Sequence, residues 1–168
     1  MGNITTFVYR GKNIESIHKV NCLLSDLSGN ILFSTGADQN LIYPRSAIKI
    51  FQAIPFANSK AIDNYKLNSK QIALACSSHT AEKFHIIELS NWLKKLRINR
   101  KNLKCGIHNP LHKKSSDKLL LSGIKPNQLH NNCAGKHLGM LSACKANKLS
   151  IKHYLDFDHL HQIEIKKT

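Results

Sequence analysis

The sequence is poor in acidic residues, in aromatic residues and in long apolar runs. Ten Asp and Glu stand against 25 Lys and Arg, and aromatic residues make up 7% of the 168 positions. The longest apolar runs fall far short of the ~20 residues of a membrane-spanning helix, so we expect no membrane association. Eight Gly and four Pro are too few for a low-complexity or fibrous protein, and the 42% hydrophobic content predicts a packed core.

Cysteines are few and irregularly spaced. An odd count of five and the absence of a signal-peptide profile at the start both argue against a disulfide framework. We therefore expect reduced thiols and a cytoplasmic location.

The excess of positive charge is the feature in which this composition differs most from that of an ordinary globular protein. The net charge of +15 would suit a nucleic-acid partner, and six cations lie within residues 94–104. Two alternatives stay open: an A/T-rich codon bias, since Lys, Ile and Asn make up about a third of the chain, and a solvated helix end. Only Trp92 lies near the run, so the aromatic side chains that single-strand binders use are missing, and a nucleic-acid partner is the less favoured interpretation.

Segments with a strand-like composition occupy the start of the sequence, and segments with apolar residues at helical spacing follow them. Residues 5–36 are rich in β-branched residues, and the turn from Asp26 to Asn30 predicts a hairpin. We expect a mostly buried helix after Pro44, a loop over 99–125, and helices over 69–75, over 81–98 and up to Asn147. The helix over 81–98 is amphipathic, with Ile86, Leu89, Leu93 and Leu96 on one face. This order predicts an α+β fold, in a single domain over residues 1–168.

One Ser-x-x-Lys pair could support nucleophilic catalysis. On a helix, Ser46 and Lys49 would share a face, and a buried neutral lysine could accept the serine proton. Four other copies occur, which we expect to be exposed: Ser16/Lys19, Ser115/Lys118, Ser122/Lys125 and Ser142/Lys145. Only Ser46 opens a largely apolar helix after a Pro-Arg turn. An ordinary helix start remains the alternative.

Two further polar stretches could belong to a site. Ser78 lies in a turn before a helix, where it is either an N-cap or a hydroxyl near N–H groups that stabilise negative charge. The stretch 130–137 contains Cys133 between two histidines, although the paired Cys/His doublets of common zinc sites are missing. Five further histidines are expected to be solvated in loops: His108, His112, His153, His159 and His161.

Five segments occur in an order that resembles the rhizobial-type asparaginases, the asparaginase II family. They are YRG with IESIHK, YPRSAIKIFQAIP, CSSHTAEKFH, LKCGIHNPL and LHNNCAGKHLGML, and they cover residues ~8–145. The resemblance implies an α/β/α arrangement around an antiparallel sheet, similar to serine β-lactamases and glutaminases. It also implies hydrolysis of L-asparagine to L-aspartate and ammonia, without an organic cofactor.

The resemblance also implies roles for individual residues. Ser46 and Lys49 match the first of two Ser–Lys tandems, and Ser78 matches the serine of the second. Arg45 and His137 match substrate contacts. Cys133 and Lys136 match two of three ligands of a zinc site.

Length is the main departure from the family pattern. Members are about twice as long and homodimeric, and the second lysine and the third zinc ligand have no counterpart here. We therefore expect residues 1–168 to be the N-terminal portion of such a domain. We also expect an incomplete zinc site, and little or no asparaginase activity from these residues alone.

Overall fold

A computed structural model describes residues 4–36, 39 and 41–168 of the chain. Their contacts divide into two compact units, one ending at Tyr43 and one running from Pro44 to Thr168. Each unit is described by itself. Helices and small antiparallel sheets together confirm the α+β class.

The first unit consists of two β-hairpins. Strands β1 (Ile4–Arg10) and β2 (Asn13–Val20) pair antiparallel, as do β3 (Leu23–Ser25) and β4 (Ile31–Ser34). The hairpin predicted at Asp26 is confirmed: the N–H of Asp26 donates to the Asn30 carbonyl at 3.0 Å, and Gly29 has the positive φ of 86° that the turn requires. Large apolar side chains on both hairpins remain exposed within this unit.

The second unit is helical. A 3-10 turn, Arg45–Ile48, leads into eight helices: α1 (Lys49–Gln52), α2 (Ile54–Asn58), α3 (Ala61–Asn64), α4 (Ser69–Cys76), α5 (Lys83–Leu96), α6 (Lys113–Leu121), α7 (Ala134–Ala146) and α8 (Leu160–Lys166). No helix among the described residues combines the length and the apolar content needed to cross a bilayer.

Helix α7 is the centre of the helical core. Ten of its 13 residues are buried, and it packs on α2, α4 and α5. The predicted amphipathic face of α5 is confirmed, with Leu89, Leu93 and Leu96 buried against this core. Trp92 is fully buried and donates from Nε1 to Ser142 Oγ at 3.0 Å. The prediction that the Ser142/Lys145 pair is exposed is therefore wrong for Ser142, because its hydroxyl satisfies the indole N–H inside the core.

Three other expectations are corrected. The 99–125 segment contains α6, which buries none of its residues; good helix formers and a Lys113–Asp117 pair at 3.3 Å explain a helix without an apolar face. The segment after Pro44 is not mostly buried, since Ile50 and Phe51 are 60% and 55% exposed. His161 was expected in solvent but is fully buried, because α8 packs on α2 and α7.

Gly135 lets α7 approach α4 at the point where α4 leads to Ser78. A Cβ at Gly135 would lie 2.2 Å from the backbone oxygen of Leu74, far inside van der Waals contact. We expect Gly135→Ala to lower the free energy of unfolding by about 3 kcal/mol, because the overpacking outweighs the gain in helix propensity. Denaturant unfolding followed by Trp92 fluorescence measures this change.

Gly139→Ala is the matched control on the same helix. Its Cβ would lie 3.2 Å from the Ala75 Cβ and in ordinary contact with the Phe56 ring at 3.5 Å, so helix propensity and crowding should nearly cancel. We expect a change within about 1 kcal/mol of zero. Equal losses in both variants would mean that the α4–α7 approach is not the tight contact described here.

Candidate active site

Lys49 is buried at the start of α1. Its side chain is 3% exposed, whereas that of its apolar neighbour Ile50 is mostly exposed. Usually the lysine would be exposed and the isoleucine buried. Lysine is almost never fully buried unless its nitrogen has partners. Among the described residues it is the only buried Lys or Arg.

The partners of Lys49 come from the turn that follows α4. Its Nζ donates to Ser78 Oγ at 2.6 Å and to the carbonyl oxygen of Ser77 at 3.1 Å. Ser78 Oγ in turn donates to Ser46 Oγ at 3.0 Å. These three side chains form a continuous hydrogen-bonded row, the Ser46–Ser78–Lys49 triad. Both hydroxyls are solvent-accessible, so a substrate can reach them while the lysine stays buried.

The triad corrects one expectation drawn from Ser-x-x-Lys spacing. Ser46 Oγ makes no direct hydrogen bond to Lys49 Nζ among the described residues; Ser78 lies between them. The long lysine side chain reaches instead to the end of α4, where a main-chain carbonyl and a hydroxyl offer two acceptors. The fold nevertheless brings Ser46 and Ser78, which are 32 residues apart in sequence, within hydrogen-bond distance of each other.

Hydrogen bonds from two other segments hold the turn that carries Ser78. The N–H of His79 donates to the Asn132 carbonyl at 3.2 Å, and the N–H of His112 donates to the Thr80 carbonyl at 3.0 Å. Helix α4 begins with a capping box between Asn68 and Gln71, which fixes the other end of the element. The position of Ser78 is therefore set from both sides.

His79 is a buried component of this turn that the sequence did not single out. It is 2% exposed, and its Nδ1 accepts the N–H of Ala81 at 3.1 Å, which supports the left-handed φ of 62° at Ala81. Burial, aided by the charges of His85 and Lys49, lowers the pKa of His79 to about 4. The ring is therefore neutral at neutral pH and carries its proton on Nε2, which has no partner among the described residues. No spacing pattern in the sequence marks this residue.

Main-chain N–H groups near the triad are also free. Neither the N–H of Ser46 nor that of Ser78 donates to another residue in the described part of the chain. Donors of this kind beside a serine hydroxyl can stabilise an oxyanion.

Arg45 and His137, the expected substrate contacts, differ in their surroundings. Arg45 is exposed, with a left-handed φ of 53°. His137 is buried on α7, where its Nδ1 lies 2.5 Å from the Tyr154 hydroxyl. Burial, aided by the charges of Lys136 and Lys49, lowers the pKa of His137 to about 4. One ring nitrogen of His137 is thus committed to the core.

Cys133 and Lys136, the two expected zinc ligands, are half-buried at the first turn of α7. The N–H of Cys133 donates to Asn131 Oδ1 at 2.9 Å. Within the described residues, no group of three or more His, Cys, Asp or Glu side chains is placed to hold a metal ion. Burial raises the pKa of the nearby Cys105 thiol to about 11 in the metal-free protein. In the described part of the chain, Cys133 and Lys136 are therefore not joined by the set of further ligands that a zinc site uses.

A comparison with protein-family models identifies the family of this chain. The family model described as L-asparaginase II matches residues 6–168. A search of curated proteins finds no match.

Proposed function

Because the chain belongs to the L-asparaginase II family, we propose that it is an amidohydrolase that hydrolyses L-asparagine to L-aspartate and ammonia. The Ser46–Ser78–Lys49 triad is the observation that carries this proposal. A buried lysine within 2.6 Å of one hydroxyl, which is itself 3.0 Å from a second exposed hydroxyl, is the arrangement that activates a serine nucleophile.

Ser46 is the nucleophile and Ser78 the relay. Ser46 Oγ attacks the side-chain carboxamide carbon and passes its proton to Ser78 Oγ, which passes its own proton to Lys49 Nζ. During the attack the donors and acceptors of both hydrogen bonds are therefore exchanged: Ser46 donates to Ser78, and Ser78 donates to Lys49. For this, Lys49 must hold a neutral amine. The relay role of Ser78 follows from its position between the other two side chains.

The remaining steps use the groups that surround Ser46. The N–H groups of Ser46 and Ser78 donate to the oxyanion of the tetrahedral intermediate. When the C–N bond breaks, the nitrogen takes up the proton held by Lys49 and leaves as ammonia. A β-aspartyl ester then remains on Ser46, and water hydrolyses it with the same triad acting as base.

Arg45 and His137 contact the substrate in this proposal. The exposed guanidinium of Arg45 is adjacent to the nucleophile and suits the α-carboxylate of asparagine, which it can hold with two parallel hydrogen bonds. His137 contributes through its Nε2, since its Nδ1 is engaged by Tyr154.

We further propose a fold similar to serine β-lactamases, a homodimer and a cytoplasmic location. The apolar side chains exposed on both hairpins support association, because isolated two-stranded hairpins are marginally stable in water. Zinc has no role in the steps above, since the residues described here supply only Cys133 and Lys136 towards a site.

Ammonia release in a single turnover, up to one equivalent per L-asparagine supplied, tests the proposed function. We expect little multiple turnover from residues 1–168. The protein is therefore mixed in excess over L-asparagine, because the acylation step by itself releases ammonia. We expect Ser46→Ala to abolish this release, because the variant has no nucleophile. Ser115→Ala, in an ordinary Ser-x-x-Lys copy, is the matched control and should release as much as the wild type. Retention of the wild-type amount by Ser46→Ala would contradict the proposal.

A further inference from the structure

A concavity of about 410 Å³ lies at the C-terminal end of α5, on residues that have no part in the triad. Its volume falls within the range of ligand pockets, which is ~300–1,000 Å³. The lining residues come from the last turns of α5, from the 3-10 turn Arg100–Asn102 and from Leu129: Ser90, Leu93, Lys94, Arg97, Ile98, Asn99, Arg100, Lys101 and Leu129.

Four of the lining side chains are cationic and none is acidic. Lys94, Arg97, Arg100 and Lys101 are all exposed, and none forms an ion pair or a side-chain hydrogen bond within the described part of the chain. Lys95 of the same run behaves differently: its Nζ donates to the Lys66 carbonyl at 2.6 Å and to Gln71 Oε1 at 3.0 Å. The run thus separates into a lysine that stabilises the fold and four cations that face solvent around one concavity.

The local backbone does not account for the four cations. Within the described residues, two of the last four carbonyls of α5 accept main-chain N–H groups and no cationic side chain: Lys94 accepts from Arg97 at 3.0 Å, and Leu93 accepts from Ile98 at 3.3 Å. Arg97 has a left-handed φ of 52°, which ends the helix and starts the turn that brings Arg100 and Lys101 to the same concavity. Like charges held close together repel, and a concave wall of one sign focuses its field on an anion.

The floor of the concavity is apolar. Leu93 and Leu129 are 9% and 6% exposed, and Ile98 is half-buried beside them. Trp92, the aromatic residue next to this run of cations, is fully buried in the core. The site therefore offers phosphate-binding groups and an apolar surface, but no aromatic platform for stacking successive bases.

From these features we infer that the concavity binds a small organic phosphate. The guanidinium groups of Arg97 and Arg100 bind its phosphate oxygens with bidentate hydrogen bonds, Lys94 and Lys101 add charge, and the organic part packs on Leu93, Ile98 and Leu129. This ligand class accounts for the acid-free rim and the apolar floor together. The inference does not depend on the proposed hydrolysis.

Titration calorimetry with ATP and with inorganic tripolyphosphate tests the inference. At physiological salt we expect ATP to bind at least several-fold more tightly than tripolyphosphate, since only ATP has an organic part to cover the floor. The double variant Arg97→Ala/Arg100→Ala should weaken ATP binding by at least ~10-fold, because it removes the bidentate partners. The matched control Lys114→Ala/Lys118→Ala removes the same charge from α6, outside the concavity, and should change the affinity less than ~2-fold. Ser46→Ala should bind ATP like the wild type.

Three outcomes would overturn the inference. Equal weakening of ATP binding in the two double variants would mean that ATP is held by non-specific charge attraction. Equal affinities for ATP and tripolyphosphate would mean that the protein does not recognise the organic part of the ligand. A single-stranded oligonucleotide that binds more tightly than ATP, with an affinity that falls steeply with salt and is weakened by Arg97→Ala/Arg100→Ala, would instead identify the concavity as part of a nucleic-acid surface.

Discussion

We expect that replacing Lys49 with methionine slows the proposed acylation of Ser46 by L-asparagine by about 1,000-fold, the size of effect that follows when a general base is removed. Methionine has an apolar stem of similar length and fits the buried path that the lysine occupies, but it cannot accept a proton from Ser78. Stoichiometric ammonia release, followed in time with the protein in excess over L-asparagine, measures this rate.

Lys95→Met is the matched control for this experiment. Lys95 also donates to a main-chain carbonyl and to a side-chain oxygen, but it lies on α5 and has no contact with the triad. We expect its acylation rate to stay within ~3-fold of the wild type. Ser78→Ala should slow acylation about as much as Lys49→Met, because no other side chain joins Ser46 to Lys49. A Ser78→Ala variant with the wild-type rate would exclude the relay.

The second large effect is acid unfolding between pH 6.5 and 4. Burial lowers the pKa of His79 and of His161 from 6.5 to about 4. Both are neutral in the folded protein, whereas in the unfolded chain they take up protons as the pH falls below 6.5. Their stability contribution is therefore complete above pH 6.5 and is lost towards pH 4. Each loss is about 3 kcal/mol, and two together are comparable with the whole stability of a small domain.

Trp92 fluorescence across pH 7 to 4 measures this transition, and His161→Leu identifies its cause. Both ring nitrogens of His161 are buried without a hydrogen-bond partner among the described residues; the nearest acid is Glu164, 3.9 Å away. Leucine removes this unsatisfied polar group and one proton-binding site. We therefore expect a gain of ~1–3 kcal/mol at pH 7 and a lower unfolding midpoint. His153→Asn, at an exposed histidine, should leave the midpoint unchanged. Equal shifts in both variants would exclude burial as the cause.

Local patterns predicted much of the fold. The Asp26–Asn30 turn, the helix start after Pro44 and the apolar face of α5 each depend on residues close in sequence, so spacing alone identified them. Helix α6 was missed because it has no buried face, and its stability comes from propensity and side-chain pairing. His161 was misplaced because its burial depends on how α8 packs on distant helices.

The site was only partly predictable for the same reason. The spacing of Ser46 and Lys49 suggested a pair, and the family resemblance added Ser78, but the order of the three side chains depends on how α1 meets the end of α4. The burial of Lys49 beside exposed apolar neighbours is likewise a tertiary property. His79 has no sequence signal, since a histidine after two serines gives no indication that its ring is buried.

Peptide mapping of the acylated protein tests the central claim most directly. The protein is mixed with L-asparagine, quenched in acid during the phase of ammonia release, digested and analysed by mass spectrometry. We predict one β-aspartyl group on Ser46 in the wild type, none on Ser46 in Lys49→Met at the same time point, and none on Ser78 in either protein. A β-aspartyl group on Ser78, or ammonia release without any adduct on Ser46, would contradict the assignment of Ser46 as the nucleophile.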